Sequence, residues 1–258
     1  MANALKVYLI SGVLIFTAML LGSGCKKDEY CNPTPSKFII SQVENNGFAI
    51  SNRYTDNVIR ESRTSDGLII DYDIIANQQG EELLFQEWNY MPNSAIRILI
   101  GTYYLGFNPL NVPRENLPRA NRYVREGGGI QSFEYNNNGN LIRSSLIFPP
   151  NFNIPPQIVI NTWKDGNMMS SVIGGVTTTY EYYDEVNTIG NEYFAKTYLG
   201  VSSKNVLKRE VSHSSVGNLI TDYVYEYDQA CYISKVTMTT IDETGEILSS
   251  SWREFSYQ

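Results

Sequence analysis

Histidine is almost missing: His213 is the only one in 258 residues. That removes histidine metal clusters and makes any Ser-His-Asp triad depend on one side chain, set in "VSHSS" with no nucleophile motif beside it. Cysteine is scarce as well, with three in the chain and no pair at zinc spacing. Neither a phosphate loop nor a Gly-x-Ser-x-Gly elbow is present. Beyond residue 24, no run is long and apolar enough for a transmembrane helix. Basic residues are outnumbered 20 to 27, a balance that argues against nucleic acid or anionic lipid headgroups as partners. Asp71-Tyr72-Asp73 begins like a calcium loop, but Ile75 stands where the third oxygen ligand belongs. The expectation is a protein without metal or cofactor, and not an enzyme.

Carboxylates are plentiful, among them Glu181, Asp184, Glu185, Glu226, Asp228, Asp242 and Glu243. A glycosidase needs two of them facing each other across a cleft, and sequence spacing does not supply that. A glycoside hydrolase is therefore the least favoured function.

What is present begins at the N-terminus. Lys6 is followed by an apolar stretch from Val7 to Leu21, which fits a secretory h-region and is short of the ~20 residues that span a bilayer. Gly22, Ser23 and Gly24 then lead into Cys25, and "LLGSGCKKDEYC" turns at once from apolar to charged. This resembles the lipobox of bacterial lipoproteins, where the cysteine is lipidated and the signal is cut just before it. The departure is Gly22 at the place of the usual large aliphatic residue. Lys27-Asp28-Glu29 resembles the lysine-plus-two-acids signal that carries some gram-negative lipoproteins to the outer face of the outer membrane; the plainer alternative is a solvated tether. An anchor of more than one acyl chain holds a protein stably to a membrane. The reading is residues 1–24 as signal peptide, 25–36 as tether and 37–258 as one domain, lipid-anchored at the outer membrane and open to exposure on the cell surface. Loss of residues 1–24 removes Lys6 and no acid, leaving a net charge of −8.

With Cys25 lipidated, Cys31 and Cys231 remain, and an oxidising compartment permits a disulfide between them. Two unpaired thiols are the alternative.

From Phe38 on, short alternating segments are separated by Asn, Asp and Gly turns, the mark of an antiparallel meander. Asn46-Gly47, Asp66-Gly67 and Asp165-Gly166 supply the positive-φ residues of tight hairpins. Well over ten strands are expected, with a short helix only at Ile189 to Leu199. A long irregular connection, Leu105 to Gly129, carries Arg114, Arg119, Arg122 and Arg125, either as a site for an anionic partner or as arginines paired with nearby carboxylates.

Two stretches align without gaps, "FEYNNNGNLIR" from Phe133 and "YEYDQACYISK" from Tyr225. Each reads as a hairpin whose aromatics share one face while the Glu takes the other. Cys231 stands where the first copy has Gly139, without glycine's freedom at φ > 0, and a bridge to Cys31 would justify it. These units resemble the tyrosine-aspartate repeats of large secreted shell proteins. Together with "TWKDGNMM", "TYEYYDEVN" and "YLGVSSKN" in order, they resemble more closely a family of uncharacterised bacterial lipoprotein domains described as having a porin-like fold. The resemblance covers about Gln131 to Tyr257. It implies a strongly curved antiparallel sheet, a half-barrel or barrel, outside the membrane, and it implies no activity.

The alternation fits that placement. Tyr223, Tyr225 and Tyr227 share one face, and Val224, Glu226 and Asp228 the other, which is not the apolar face of a lipid-embedded strand. Two functions follow: a structural or interaction module working on an envelope protein through sheet edges or the Leu105 to Gly129 loop, or a carbohydrate-binding surface. For the second, Trp88, Tyr90, Tyr103, Tyr104 and Trp163 are the candidate stacking platform for glycans; the alternative is that their rings fill the concave side of the sheet.

Overall fold

The computed structural model describes residues 37–54, 58–63, 69–76, 83–90, 96–105, 119–194, 196–215 and 217–258, with the backbone alone at 58–59, 73–76, 83 and 85. The signal peptide, the tether with Cys25, Lys27, Asp28, Glu29 and Cys31, and also Asp66-Gly67 and Arg114, lie outside these residues.

Sixteen antiparallel strands close into a barrel. They are β1 (Ile39–Glu44), β2 (Ala49–Tyr54), β3 (Val58–Arg63), β4 (Ile69–Ala76), β5 (Leu83–Tyr90), β6 (Ile98–Tyr104), β7 (Arg122–Arg125) and β8 (Ile130–Tyr135). There follow β9 (Leu141–Ile147), β10 (Gln157–Lys164), β11 (Asn167–Ile173), β12 (Val176–Val186), β13 (Asn205–Ser214), β14 (Gly217–Tyr227), β15 (Ile233–Asp242) and β16 (Ile247–Tyr257). Each strand pairs with its sequence neighbour, and β1 pairs with β16 from Ile39↔Tyr257 to Glu44↔Arg253. The curved sheet expected from the sequence is thus a closed one.

Closure corrects one expectation. No described strand is left with an open edge, so the described strands offer no free sheet edge to a partner. The expected irregular connection from Leu105 to Gly129 is also interrupted, because Arg122–Arg125 forms β7 between β6 and β8.

One turn geometry recurs five times. Glu44, Arg125, Asn136, Asp228 and Asp242 each open a hairpin in which the residue three places on donates its N–H back to the opening carbonyl, at 2.9–3.1 Å. The opening N–H in turn donates to the carbonyl four places on. At Glu44, Asn136, Asp228 and Asp242 this is a type I turn followed by a left-handed residue, here Gly47, Gly139, Cys231 or Gly245, whereas after Arg125 both Gly127 and Gly128 take positive φ (94° and 98°). Asn136, Asp228 and Asp242 add a side-chain oxygen that accepts two further backbone N–H groups each. Asp165-Gly166 takes two consecutive positive φ angles (53° and 84°), the two-residue hairpin expected of it.

Alternation sorts the side chains. Tyr223, Tyr225 and Tyr227 turn inward onto a core of Ile39, Val206, Tyr232, Ile233, Val236 and Phe255, while Val224 and Glu226 are exposed outside. The outer face carries ion pairs between paired strands: Glu134–Arg143, Arg209–Asp222, Lys235–Glu254 and Arg60–Asp71.

A sixteen-strand wall encloses more space than its own side chains fill. The connection from β12 to β13, residues 187–204, folds in to occupy part of it. Sequence spacing suggested a helix at Ile189 to Leu199; the described residues there form turns and one 3-10 turn at Thr197–Leu199. The reason is tertiary. The segment spends its backbone groups on the wall instead of on itself.

Its contacts run round the ring. Tyr193 O accepts from Ile39 N–H of β1 (2.8 Å), Lys196 pairs with Glu61 of β3 (3.3 Å), and Tyr198 packs edge-on to Tyr103 of β6. Tyr198 O accepts from Ala120 N–H (2.8 Å), and Val201 and Lys204 donate to Gly139 O and Gly166 O at the β8–β9 and β10–β11 turns. Thr188 Oγ1 accepts from Ile233 N–H of β15 (2.8 Å), and Tyr257 of β16 donates to Thr188 O (3.2 Å). Tyr198 and Thr188 are at 1% and 0% exposure. All these contacts lie at the end of the barrel where β1 begins and β16 finishes, which is the plugged end.

Candidate functional site

Between the plug and the β10–β16 wall lies a cavity of about 480 Å³. The wall presents Trp163 and Tyr180, Tyr182, Tyr223 and Tyr225, with Met238 and Phe255; the plug presents Asn187, Asn191, Leu199 and Ser202. Trp163 reaches it because β10 alternates, placing Asn161 and Trp163 on the luminal side. Both donate to one carbonyl, Leu141 O, at 3.0 and 2.9 Å. The indole is therefore fixed, with its polar edge spent on the wall.

Tyr182 is held likewise, donating to Met168 O (2.7 Å) with its hydroxyl 3.0 Å from Ser203 Oγ. Burial raises the Tyr180 hydroxyl above the ordinary phenol range, and Tyr223 is raised by burial and then by the Glu210 carboxylate beside it. These phenols stay neutral at physiological pH. The charged member, Arg253, is met by Glu44 of β1 at 2.8 Å. The cavity thus offers ring faces, aliphatic side chains, neutral hydroxyls and amides, which suits an uncharged ligand with apolar faces and hydroxyl groups.

A second luminal cluster lies under the plug on β3–β7. Lys196 Nζ bridges Glu61 (3.3 Å) and the face of Tyr72 (5.0 Å to the ring centre). Tyr123 donates to Glu87 Oε2 (3.0 Å), and burial pushes the Glu87 carboxyl up despite that bond. Gly101 makes the arrangement possible: a Cβ there would run into the Tyr123 ring. The sequence reading missed both the plug and this cluster, since residues 61, 87, 123 and 196 come together only when the ring closes.

The five candidate stacking rings do not form one platform. Tyr103 and Trp163 point inward, Tyr103 as core against Tyr198 and Trp163 into the cavity. Trp88, Tyr90 and Tyr104 are covered by the guanidinium groups of Arg97, Arg60 and Arg122, at 4.9, 5.5 and 4.0 Å from the ring centres. Trp88 pairs across strands with Asp71, which is itself held by Arg60 (2.7 Å) and Arg97 (3.6 Å). The described arginines of the 105–129 stretch are dispersed too. Arg119 lies over Tyr135 beside Gly139, Arg122 over Tyr104, and Arg125 pairs with Gly101 in register.

His213 lies on β13 with Nδ1 3.1 Å from Asn218 Oδ1 on exposed β14. Glu181 and Glu226 pair across strands with Arg209 and Lys235, and Asp228 and Asp242 hold turns. Asp242 is accordingly lowered, first by the Thr244 hydrogen bond. Cys231 is disulfide-bonded, and its partner is outside the described residues.

No protein-family model matches the chain, and neither does any curated protein. Among solved structures, the chain is similar to a porin-like protein from Bacteroides uniformis at 8% identity and a TM-score of 0.45, covering 88% of this chain and 98% of that one. A porin-like protein from Bacteroides vulgatus is similar at 9% identity and a TM-score of 0.35, with 86% and 99% covered. Both carry the porin-like description to which the sequence motifs pointed. At such scores the likeness adds nothing to the barrel described above.

Proposed function

We propose that the chain is an exported lipoprotein, anchored through Cys25 at the outer membrane of a gram-negative bacterium, that works as a non-enzymatic binding module with a blind luminal cavity as its ligand site. The observation carrying the binding role is the plug. A segment bonded to β1, β3, β6 and β15 and to the β8–β9 turn gives the barrel a floor, so the lumen reads as a cup and not as a conduit. The ion pairs on the outer face favour a barrel standing outside the bilayer, since a lipid-facing wall would put them in hydrocarbon. The carboxylates that serve turns and cross-strand pairs favour a role without catalysis.

Lipidation is tested on the N-terminal peptide of the protein purified from membranes. Acyl mass on Cys25 supports the anchor, and a free or uncut N-terminus overturns it. Protease shaving of intact cells, with Lys27, Asp28 and Glu29 changed to Ala in comparison, then decides the leaflet. A protected variant with a shaved wild type supports surface export, and protection of both places the cup in the periplasm, where envelope proteins become the partners to seek.

Trp163 favours a saccharide as ligand. Its indole N–H is already satisfied, which leaves a fixed ring face beside Asn161 for a sugar ring to stack on. Retention on immobilised glycans that is lost in Trp163→Ala supports this reading, and equal retention of both proteins removes it.

A further inference from the structure

The plug borders a second cavity, at the plugged end of the barrel. It measures about 420 Å³, within the range of small-molecule sites, and lies between the plug and the β8–β9 and β10–β11 turns. Asn187, Val201, Ser202 and Ser203 line both this cavity and the one facing Trp163, so these plug residues stand between the two.

The two cavities differ in how their polar groups are used. Around Trp163, the indole, Asn161 and Tyr182 all have hydrogen-bond partners on the wall. At the plugged end, Asn140 is only 4% exposed, yet its carboxamide takes no hydrogen bond among the described residues. The turn does not need it. Asn136 Oδ1 accepts from the N–H groups of Asn138 and Asn140, both at 3.0 Å, and the Asn140 side chain is left to the cavity.

Tyr193 lines the same cavity at 8% exposure, and its hydroxyl is likewise without a hydrogen bond among the described residues. Burial, then the nearby Tyr232 and Glu192, raises that hydroxyl above the ordinary phenol range, so it remains a donor at physiological pH. Buried polar groups are nearly always paired, and two unpaired ones on one cavity mark where an occupant supplies the partners.

A charge of each sign completes the lining. Glu192 is held through Oε1, which accepts from Ser202 N–H at 3.1 Å, while Oε2 takes no hydrogen bond among the described residues. Gly190 makes room for it, since a Cβ there would come within 2.7 Å of Oε2. Lys204 stands at the exposed rim, its backbone N–H tied to Gly166 O at 2.9 Å and its ammonium in no ion pair among the described residues. A neutral sugar would leave both charges unanswered. A molecule carrying its own ammonium and carboxylate answers both.

We propose that this cavity is a second ligand site, which takes a small zwitterion of the amino-acid or short-peptide kind, its ammonium on Glu192 and its carboxylate on Lys204, with Asn140 and Tyr193 hydrogen-bonding the atoms between. None of these four residues lines the cavity at Trp163, so the site does not depend on what binds there.

The test is saturation-transfer NMR on the complete membrane-purified protein. The probes are a mixture of the twenty free amino acids, then dialanine and diglycine, with the N-acetylated, C-amidated dipeptides as uncharged controls. At least one zwitterion should be saturated, and the blocked dipeptides should not. Asn140→Ala should lose that signal while the circular dichroism stays unaltered, because the carboxamide holds nothing else in place. Glu192→Gln, whose amide oxygen can still accept from Ser202 N–H, should lose it as well. A wild-type protein that saturates no probe overturns the proposal, the cavity then holding solvent alone. So does binding that survives Asn140→Ala, or that the blocked dipeptides share. Glycan retention is read on the same preparation, so failure of this site and failure of the Trp163 cavity show in separate measurements.

Discussion

Cys231 and Gly139 hold the same place in two copies of one turn, at φ of 68° and 85°. Cys231 N–H donates to Asp228 O at 3.0 Å, and Gly139 N–H to Asn136 O at 2.9 Å. A left-handed residue with a side chain is strained by about 1 kcal/mol or more, and glycine there is not. Cys231 bears that strain while also forming a disulfide.

Cys231→Gly should therefore act in opposite directions under two conditions. In reducing buffer, urea denaturation should find the variant more stable than wild type by about 1 kcal/mol. In oxidising buffer the order should reverse, since a native disulfide is typically worth about 2–5 kcal/mol.

Thr188→Val removes a fully buried acceptor from Ile233 N–H. An unpaired buried donor costs about 1–3 kcal/mol, and the loss should appear in chemical denaturation with an unchanged m-value. A change below a few tenths of a kcal/mol would mean that the plug is not docked through Thr188.

Gly101→Ala places a methyl group against Tyr123 and disturbs its bond to Glu87. Overpacking of this kind costs about 1–3 kcal/mol. Shortening Tyr123 to Leu in the same chain should recover part of the loss, and an additive double mutant would contradict the contact.

Glu87 gives a pH dependence with a defined sign. Burial raises its folded-state pKa above the unfolded value, so the folded protein holds the proton more tightly. The resulting contribution favours folding fully below the unfolded pKa of about 4.3 and is lost as pH rises through the folded pKa. Glu87→Gln, whose amide oxygen can still accept from Tyr123, should flatten that part of the stability–pH curve above the ordinary carboxylate range. A slope identical to wild type would contradict the assignment.

Much of the wall was legible because its pattern is local. Leu83–Tyr90, Ile130–Tyr135, Gln157–Lys164 and Ile247–Tyr257 are among the well over ten strands that alternation and turn residues lead one to expect. The tyrosines of β14 turn inward as their alternation required. The third turn of the Asn136 and Asp228 kind, at Asp242, escaped notice because its approach, "TMTTID", lacks the aromatic-Glu-Tyr lead that made the other two align.

What was illegible depends on closure. Ile189 to Leu199 has helical spacing, yet Tyr193, Tyr198 and Thr188 take partners on β1, beside β7 and on β15, far away in sequence. The stacking platform failed for the same reason. Trp163 and Trp88 are equally aromatic on paper, and only the direction of curvature puts one in the cup and the other outside under Arg97.

The central claim is that residues 187–204 form a fixed floor to the barrel, and native-state hydrogen exchange by mass spectrometry tests it most directly. Peptides covering Thr188–Tyr193 and Tyr198–Lys204 should exchange on the slow timescale of β12–β16, with the Ile39, Ala120 and Ile233 amides that bond to the plug protected alongside them. Exchange of those peptides at the rate of exposed turns such as 243–246, while the strands stay protected, would mean that the floor opens freely and would contradict the cup.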